Sequence, residues 1–333
     1  MTSARTIRAL LDAGAPDSVA LSAPGAVALT YRALREQVDA TVIALNAMGI
    51  GRGDRVAIVL PNGPCMASAF LSVAAGAASA PLNPAYRADE FEFYLSDLQA
   101  RGLIVEAGSD SPAVEVARKL GVRLIALHAE PSRGAGAFRL EAEPAAGAPA
   151  SASPHGPTQP DDVALVLHTS GTTSRPKIVP LSQANVCASA RNIREFLSLG
   201  SGDRGLNIMP LFHIHGLIAG ISAPLSAGGQ VCCTPGFNAL RFFSWMEEAR
   251  PTWYTAVPTM HQAILSRAAN NRAVIGANPL RFIRSSSSAM PTQVIRELEE
   301  VFGAPLVESY GMTEAAHQMA ANPLPPRVRK PGT

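Results

Sequence analysis

The chain has 333 residues, too many for one ordinary domain, and 47% of them are hydrophobic, enough for a large core. Its 28 basic and 26 acidic residues leave a net charge of +2 and no concentrated basic face, which excludes a nucleic-acid binder. The four cysteines (Cys65, Cys187, Cys232, Cys233) have no metal spacing, and without a leader segment they read as reduced core thiols of a cytoplasmic protein.

From the start of the chain, "TYRALREQVDATVIALNAM" carries apolar residues at helical spacing and predicts a helix over Thr30–Met48, with Thr30 as N-cap. The run "RVAIVLPN" then predicts a parallel strand ending in a loop. The Ala-rich stretch from Ala67 to Ala78 is short and stops at Pro81, so it reads as a buried helix and not a membrane span. A helix at "RADEFEFYLSDLQA", a strand at "GLIVEA", a helix over Ala113–Leu120 and a strand at "RLIALH" follow. Between Gly134 and Pro160 the composition turns to Ala, Gly, Pro and Ser, the mark of a surface loop or linker.

After it the alternation resumes. A strand over Val163–Leu167, a helix over Ser182–Leu197, a strand at "GLNIMP", a helix over Ala239–Glu248, a strand at "WYTAVP" and a helix over Pro258–Ala269 are expected, with Cys232 and Cys233 in a strand. The pattern predicts an α/β fold of two subdomains of like build, 1–133 and 161–333. Each would carry a mainly parallel sheet covered by helices, with 134–160 joining them.

Four polar segments fall where strands end, the place at which open α/β sheets build ligand sites. "TSGTTSRPK", Thr169–Lys177, gathers five hydroxyls, a glycine and two cations, a composition suited to phosphate oxygens. It is not a Walker loop, because no glycine precedes Lys177 and Ile178 stands where Ser or Thr is required. "MPLFHIHGL" sets His213 and His215 two apart; a metal pair is one reading, but no third ligand stands at suitable spacing. "RSSSSAMP", Arg284–Pro291, is poor in a buried strand and useful where backbone approaches a flat ligand, or else an exposed loop. "ESYGMTEA" offers the Tyr310 ring to a base, Thr313 to a phosphate and Glu314 to Mg²⁺.

In order and spacing these segments resemble the N-terminal domain of the adenylate-forming acyl-CoA synthetases. "HTSGTTSRPK", "TWYTAVPTMHQ" and "NPLP" are most similar to the oxalate–CoA ligase group. The resemblance implies an AMP-forming acid–thiol ligase using ATP, Mg²⁺ and coenzyme A. A small carboxylic acid would be the substrate, with oxalate or another short acid favoured and a fatty or aryl acid the alternative. Thr169, Ser170, Gly171, Thr172, Thr173 and Lys177 would hold the β- and γ-phosphates. Adenine would lie on Tyr310 and Gly311, its edge against Ser286, Ser287 and Ser288. Thr313 would meet the α-phosphate, Glu314 would bind Mg²⁺, and His213 would line the reacting carboxylate and the thiol's approach. Ser285 and His317 would hydrogen-bond the far carboxylate of a short diacid.

Ser174 and Ile178 stand where glycines are usual in the wider family. Ser174 is shared with the oxalate–CoA ligase group, whereas Ile178 is unexpected and would stiffen the loop. The resemblance also implies a ribose-binding Asp, a hinge and a small C-terminal domain with an adenylation-promoting lysine. The sequence reaches Thr333 before any of these. A nucleotide-binding fragment of low turnover is therefore the rival expectation. Neither a membrane nor a nucleic acid is expected as partner, and the oligomeric state stays open between monomer and homodimer.

Overall fold

The computed structural model describes residues 4–143, 153–169 and 176–332. Among them, strands form two mainly parallel sheets with helices packed on their faces. One sheet has the order Phe138–Ala142, Arg123–Ala129, Gly102–Glu106, Arg55–Val59, Ala78–Pro81, Val163–His168, Ile178–Ser182. Its inner strands are parallel and its two outer pairings antiparallel. Runs such as "RVAIV" and "GLIVE" are buried on both faces, as parallel strands must be when helices cover both sides.

The second sheet runs His317–Ala321, Leu306–Met312, Phe282–Ser285, Trp253–Ala256, Arg204–Asn207, Gln230–Cys233, Val19–Ser22, Leu29–Thr30. It too is parallel inside and antiparallel at both edges. The helix Pro64–Ala74 has neighbours in both layers. It joins a core that also takes in the helices Tyr31–Ala47 and Gln183–Phe196 and the π-helix His215–Ser222.

Local chemistry explains the element ends. Thr30 caps its helix by accepting from the Ala33 N–H at 3.2 Å, and Ser182 caps Gln183–Phe196 by accepting from Asn185 N–H at 3.1 Å. Expected and observed helices at residues 31–47, 88–97, 112–120 and 258–268 agree within a few residues. The helix expected to reach Ala78 instead stops at Ala74, and Ala78–Pro81 is a strand buried along its whole length. An Ala-rich stretch buried on every side carries no period that separates helix from strand.

The sheets also cut across the expected division at 134–160. Val19–Ser22 joins the second sheet through Leu21 opposite Val231, and Val163–His168 joins the first through Leu165 opposite Ser79. Part of the expected linker is ordered: Phe138–Ala142 is an edge strand, and Ser68 donates to the Gly136 carbonyl at 2.6 Å. Composition reports solvation and turns; it does not say which strand pairs with which. All four cysteines are free thiols, with Cys232 and Cys233 in the strand Gln230–Cys233. Among the described residues no helix is long and apolar enough to cross a membrane.

Candidate functional site

The strands Val163–His168 and Ile178–Ser182 form a hairpin stem that closes at the ends of "TSGTTSRPK". Thr169 N–H donates to the Lys177 carbonyl at 2.9 Å, and Lys177 N–H donates to Thr169 Oγ1 at 3.4 Å. Ser170, Gly171, Thr172 and Thr173, with Ser174, lie outside the described residues. Lys177 is exposed. Ile178 is the strand partner of His168 and packs against the core beneath the first sheet, which accounts for an apolar residue at this position. His168 is held in turn by Asp97 at 3.0 Å and by the ring of Tyr94 at 4.7 Å. Burial pushes its pKa below the ordinary histidine range, with Asp97 opposing. The strand Ile178–Ser182 packs against the turn Thr313–Ala315, bringing the first and fourth polar segments side by side.

The neighbouring strands Phe282–Ser285 and Leu306–Met312 are parallel, and the serine run leaves the end of the first beside the second. Ser286 Oγ donates to the Ser309 carbonyl at 3.0 Å. Ser287 and Ser288 are exposed, and Ser287 sits in the left-handed region at φ 75°. A non-glycine residue there costs about 1 kcal/mol or more and persists only when its surroundings impose it. Tyr310 is 65% exposed, a large ring left without cover at the rim of the sheet. A Cβ at Gly311 would overlap the His317 carbonyl oxygen, so the hairpin Leu306–Met312/His317–Ala321 can close there only on glycine. Thr313 is half-buried and Glu314 exposed, and no ion pair engages Glu314 among the described residues.

Beneath this rim lies a buried polar cluster centred on Arg284. Its guanidinium is fully buried and donates to His215 Nε2 at 3.0 Å, Thr255 Oγ1 at 3.2 Å, His317 Nε2 at 3.1 Å and Gln318 Oε1 at 3.0 Å. All four partners are neutral, and the guanidinium Nε has no partner. Burial alone pulls Arg284 down to about 9, which still leaves it charged at neutral pH. Burial, reinforced by the Arg284 charge, holds His215 and His317 well below the usual histidine range. The two rings stack at 5.0 Å. His215 Nδ1 lies 3.2 Å from Ser287 Oγ and its Nε2 lies 2.6 Å from Thr255 Oγ1. His213, exposed at the mouth, accepts the His215 backbone N–H on Nδ1 at 3.2 Å. Ser285 Oγ is buried and unpartnered.

The predicted residues thus fall into two groups. Thr169, Lys177, Ser287, Ser288, Tyr310, Gly311, Thr313 and Glu314 stand near the surface at adjoining strand ends, with Ser286 directly beneath them. His215 and His317 gather on Arg284 with His213 against His215, whereas Ser285 follows Arg284 in the strand and its buried Oγ has no partner. The metal reading of the histidine pair finds no support, because among the described residues no group of three His, Cys, Asp or Glu side chains is placed to hold a metal. A single exposed carboxylate at Glu314, beside a hydroxyl, suits Mg²⁺ whose other ligands come from phosphates and water. Sequence reasoning missed Thr255 and Gln318. The one available signal was a hydroxyl inside the apolar strand "WYTAVP".

Polar segments at the ends of adjoining parallel strands, with an exposed ring and an exposed carboxylate, define the class of open α/β proteins that place a ligand site at strand ends. Residues 11–333 match the AMP-binding enzyme family, and the chain belongs to it. It is 43% identical over 312 residues to a probable CoA ligase, CCL9, of Humulus lupulus, a match covering 93% of this chain and 59% of that protein. It is 41% identical to an oxalate–CoA ligase of Arabidopsis thaliana, covering 96% of this chain and 62% of the relative. Among solved structures, ATP-bound MatB of Rhodopseudomonas palustris superposes with a TM-score of 0.81 at 25% identity, over 98% of this chain and 63% of MatB. The chain therefore spans about three fifths of the length of the relatives it matches.

Proposed function

We propose that this chain is the nucleotide- and acid-binding part of an ATP-dependent, AMP-forming carboxylate–CoA ligase whose acid is short and doubly anionic, with oxalate the best fit. The observation that carries the acid assignment is Arg284: a buried cation whose four protein partners are all neutral calls for an anion. A long-chain acid would require an apolar tunnel, whereas the groups around Arg284 are hydroxyls, imidazoles and an amide. An oxalate–CoA ligase among the relatives supports the same reading.

In the first half-reaction the acid's carboxylate attacks the α-phosphorus of ATP, releasing pyrophosphate. In the second, coenzyme A thiol displaces AMP. Two anions must be held together against their repulsion, so the protein's task is positioning and charge neutralisation. Lys177 and the hydroxyls from Thr169 to Thr173 bind the β- and γ-phosphates, Thr313 meets the α-phosphate, and Tyr310 and Gly311 bind the base, whose edge meets the backbone of Ser286–Ser288. Mg²⁺ held by Glu314 would neutralise phosphate charge. His213 orients the reacting carboxylate, while Ser285 and His317 hold the far one. A cytoplasmic setting belongs to the same reading and is supported by the four free thiols.

The test compares acyl-CoA formation from oxalate, malonate, acetate, coumarate and octanoate. Oxalate is expected to be used best and His317→Ala to lose that activity. Preference for coumarate or octanoate, or full oxalate activity in His317→Ala, overturns the short-diacid reading. Mg-ATP binding without pyrophosphate release under any acid would instead favour a nucleotide-binding fragment.

A further inference from the structure

A guanidinium can only donate hydrogen bonds. Arg284 places Nη1 3.0 Å from His215 Nε2 and Nη2 3.1 Å from His317 Nε2, so both ring nitrogens must be acceptors. An imidazolium has no acceptor nitrogen, and a neutral ring whose Nε2 accepts carries its hydrogen on Nδ1. We infer that Arg284 is a positioning residue: by donating from both arms of its guanidinium it fixes His215 and His317 as neutral rings protonated at Nδ1, and so turns Ser287 into an outward donor for an anionic acid.

The rest of the cluster follows from that constraint. Thr255 Oγ1 accepts from Arg284 at 3.2 Å, and at 2.6 Å from His215 Nε2 its hydroxyl shares that nitrogen's single lone pair with Arg284, so either donor leaves Nε2 without a hydrogen. With Nε2 occupied, His215 Nδ1–H donates to Ser287 Oγ at 3.2 Å. A hydroxyl that accepts on this side presents its hydrogen on the other, and Ser287 is exposed. The relay therefore runs Arg284, His215, Ser287, and its outer end fits an acceptor such as a carboxylate oxygen. His317, stacked on His215, carries a second Nδ1–H fixed the same way. Ser287 and His317 hold φ values of 75° and 100°, so both receiving residues sit in backbone that side chains rarely adopt. His213 is set oppositely: its Nδ1 accepts a backbone N–H, leaving Nε2–H to donate. Lysine could not replace Arg284, because one ammonium on a flexible stem lacks the fork that reaches two rings at once.

The relay's target rests on the ligase reading above; the tautomers do not, since they exist in the chain without acid. Seven histidines make the test tractable. The 333-residue chain, labelled with ¹⁵N-histidine, is examined at pH 7 by long-range ¹H–¹⁵N correlation, with signals assigned by single-histidine substitution. Protonated Nδ1 and bare Nε2 are expected at His215 and His317, and the reverse at His213. Imidazolium patterns or a protonated Nε2 at His215 or His317 overturn the inference. Arg284→Met should release the His317 tautomer, whereas Thr255 still donates to His215; an unchanged His317 also overturns it. Should that variant fail to fold, Arg284→Lys serves in its place. It should raise the oxalate dissociation constant at least tenfold and leave that of Mg-ATP within twofold, and equal oxalate affinity would sink the positioning role. A wild-type chain showing these tautomers but no affinity for oxalate would leave Arg284's action standing and remove the diacid reading.

Discussion

The proposed nucleotide side and the proposed acid side of this site are neighbours built in opposite ways. On that nucleotide side Lys177, Tyr310 and Glu314 are exposed, and the stem below Lys177 is closed by one backbone and one backbone-to-side-chain hydrogen bond between Thr169 and Lys177, eight residues apart. On the acid side Arg284, His215, His317 and Thr255 are buried and come from four separate segments. The exposed groups answer to water when no ligand is bound, so removing one removes little from the fold. The buried groups answer to one another, so their protonation and tautomers are set by the fold itself. Function on one side is a local property of the loops; on the other it is a property of the packed core.

The largest consequence of this contrast is in acid stability. His215, His261 and His317 are held neutral by burial, His261 at about 4. Unfolded, each takes a proton below about pH 6.5, while the folded chain does not. The unfolded state therefore binds more protons between the two pKa values, and stability falls as pH drops through that window. Each buried histidine contributes about 1.4 kcal/mol per pH unit, so going from pH 7.5 to 5.5 should remove about 4 kcal/mol. Urea unfolding at both pH values checks this, and His261→Gln should lower the slope by about a third. A stability independent of pH in this range would dissolve the distinction between the two sides.

Next come the charged groups of the exposed side. Lys177→Ala and Glu314→Gln should each weaken Mg-ATP binding by about 1–3 kcal/mol, read by calorimetry. Both should leave urea stability within about 0.5 kcal/mol, since neither is packed. Unchanged ATP affinity in both variants would remove the nucleotide assignment. A large loss of stability would show that the exposed side is also structural.

The smallest effect sharpens the comparison from the scaffold. Ser182 lies at the foot of the loop stem and caps the helix Gln183–Phe196, which holds the far side of the site where Ser189 donates to the Ala316 carbonyl at 2.6 Å. Ser182→Ala should cost about 1 kcal/mol of stability and leave the affinity for Mg-ATP unchanged, measured by the same two methods. A change in nucleotide affinity larger than the change in stability would mean that the helix and the loop move together.

By itself the sequence determined what depends on near neighbours in the chain. Helical spacing, Thr30 as a cap, apolar runs between turns, and hydroxyls and glycine clustered after strands are all written within a few residues. They placed most helices and inner strands as well as the polar loops. Tertiary structure alone decided the rest: that Val19–Ser22 crosses to the second sheet, that Ala78–Pro81 is a strand, and that Arg284 faces His215, Thr255, His317 and Gln318. Sheet partners and buried hydrogen bonds join residues tens to hundreds of positions apart. Their energies arise from desolvation once the layers close, and no local pattern encodes which distant donor will meet which acceptor.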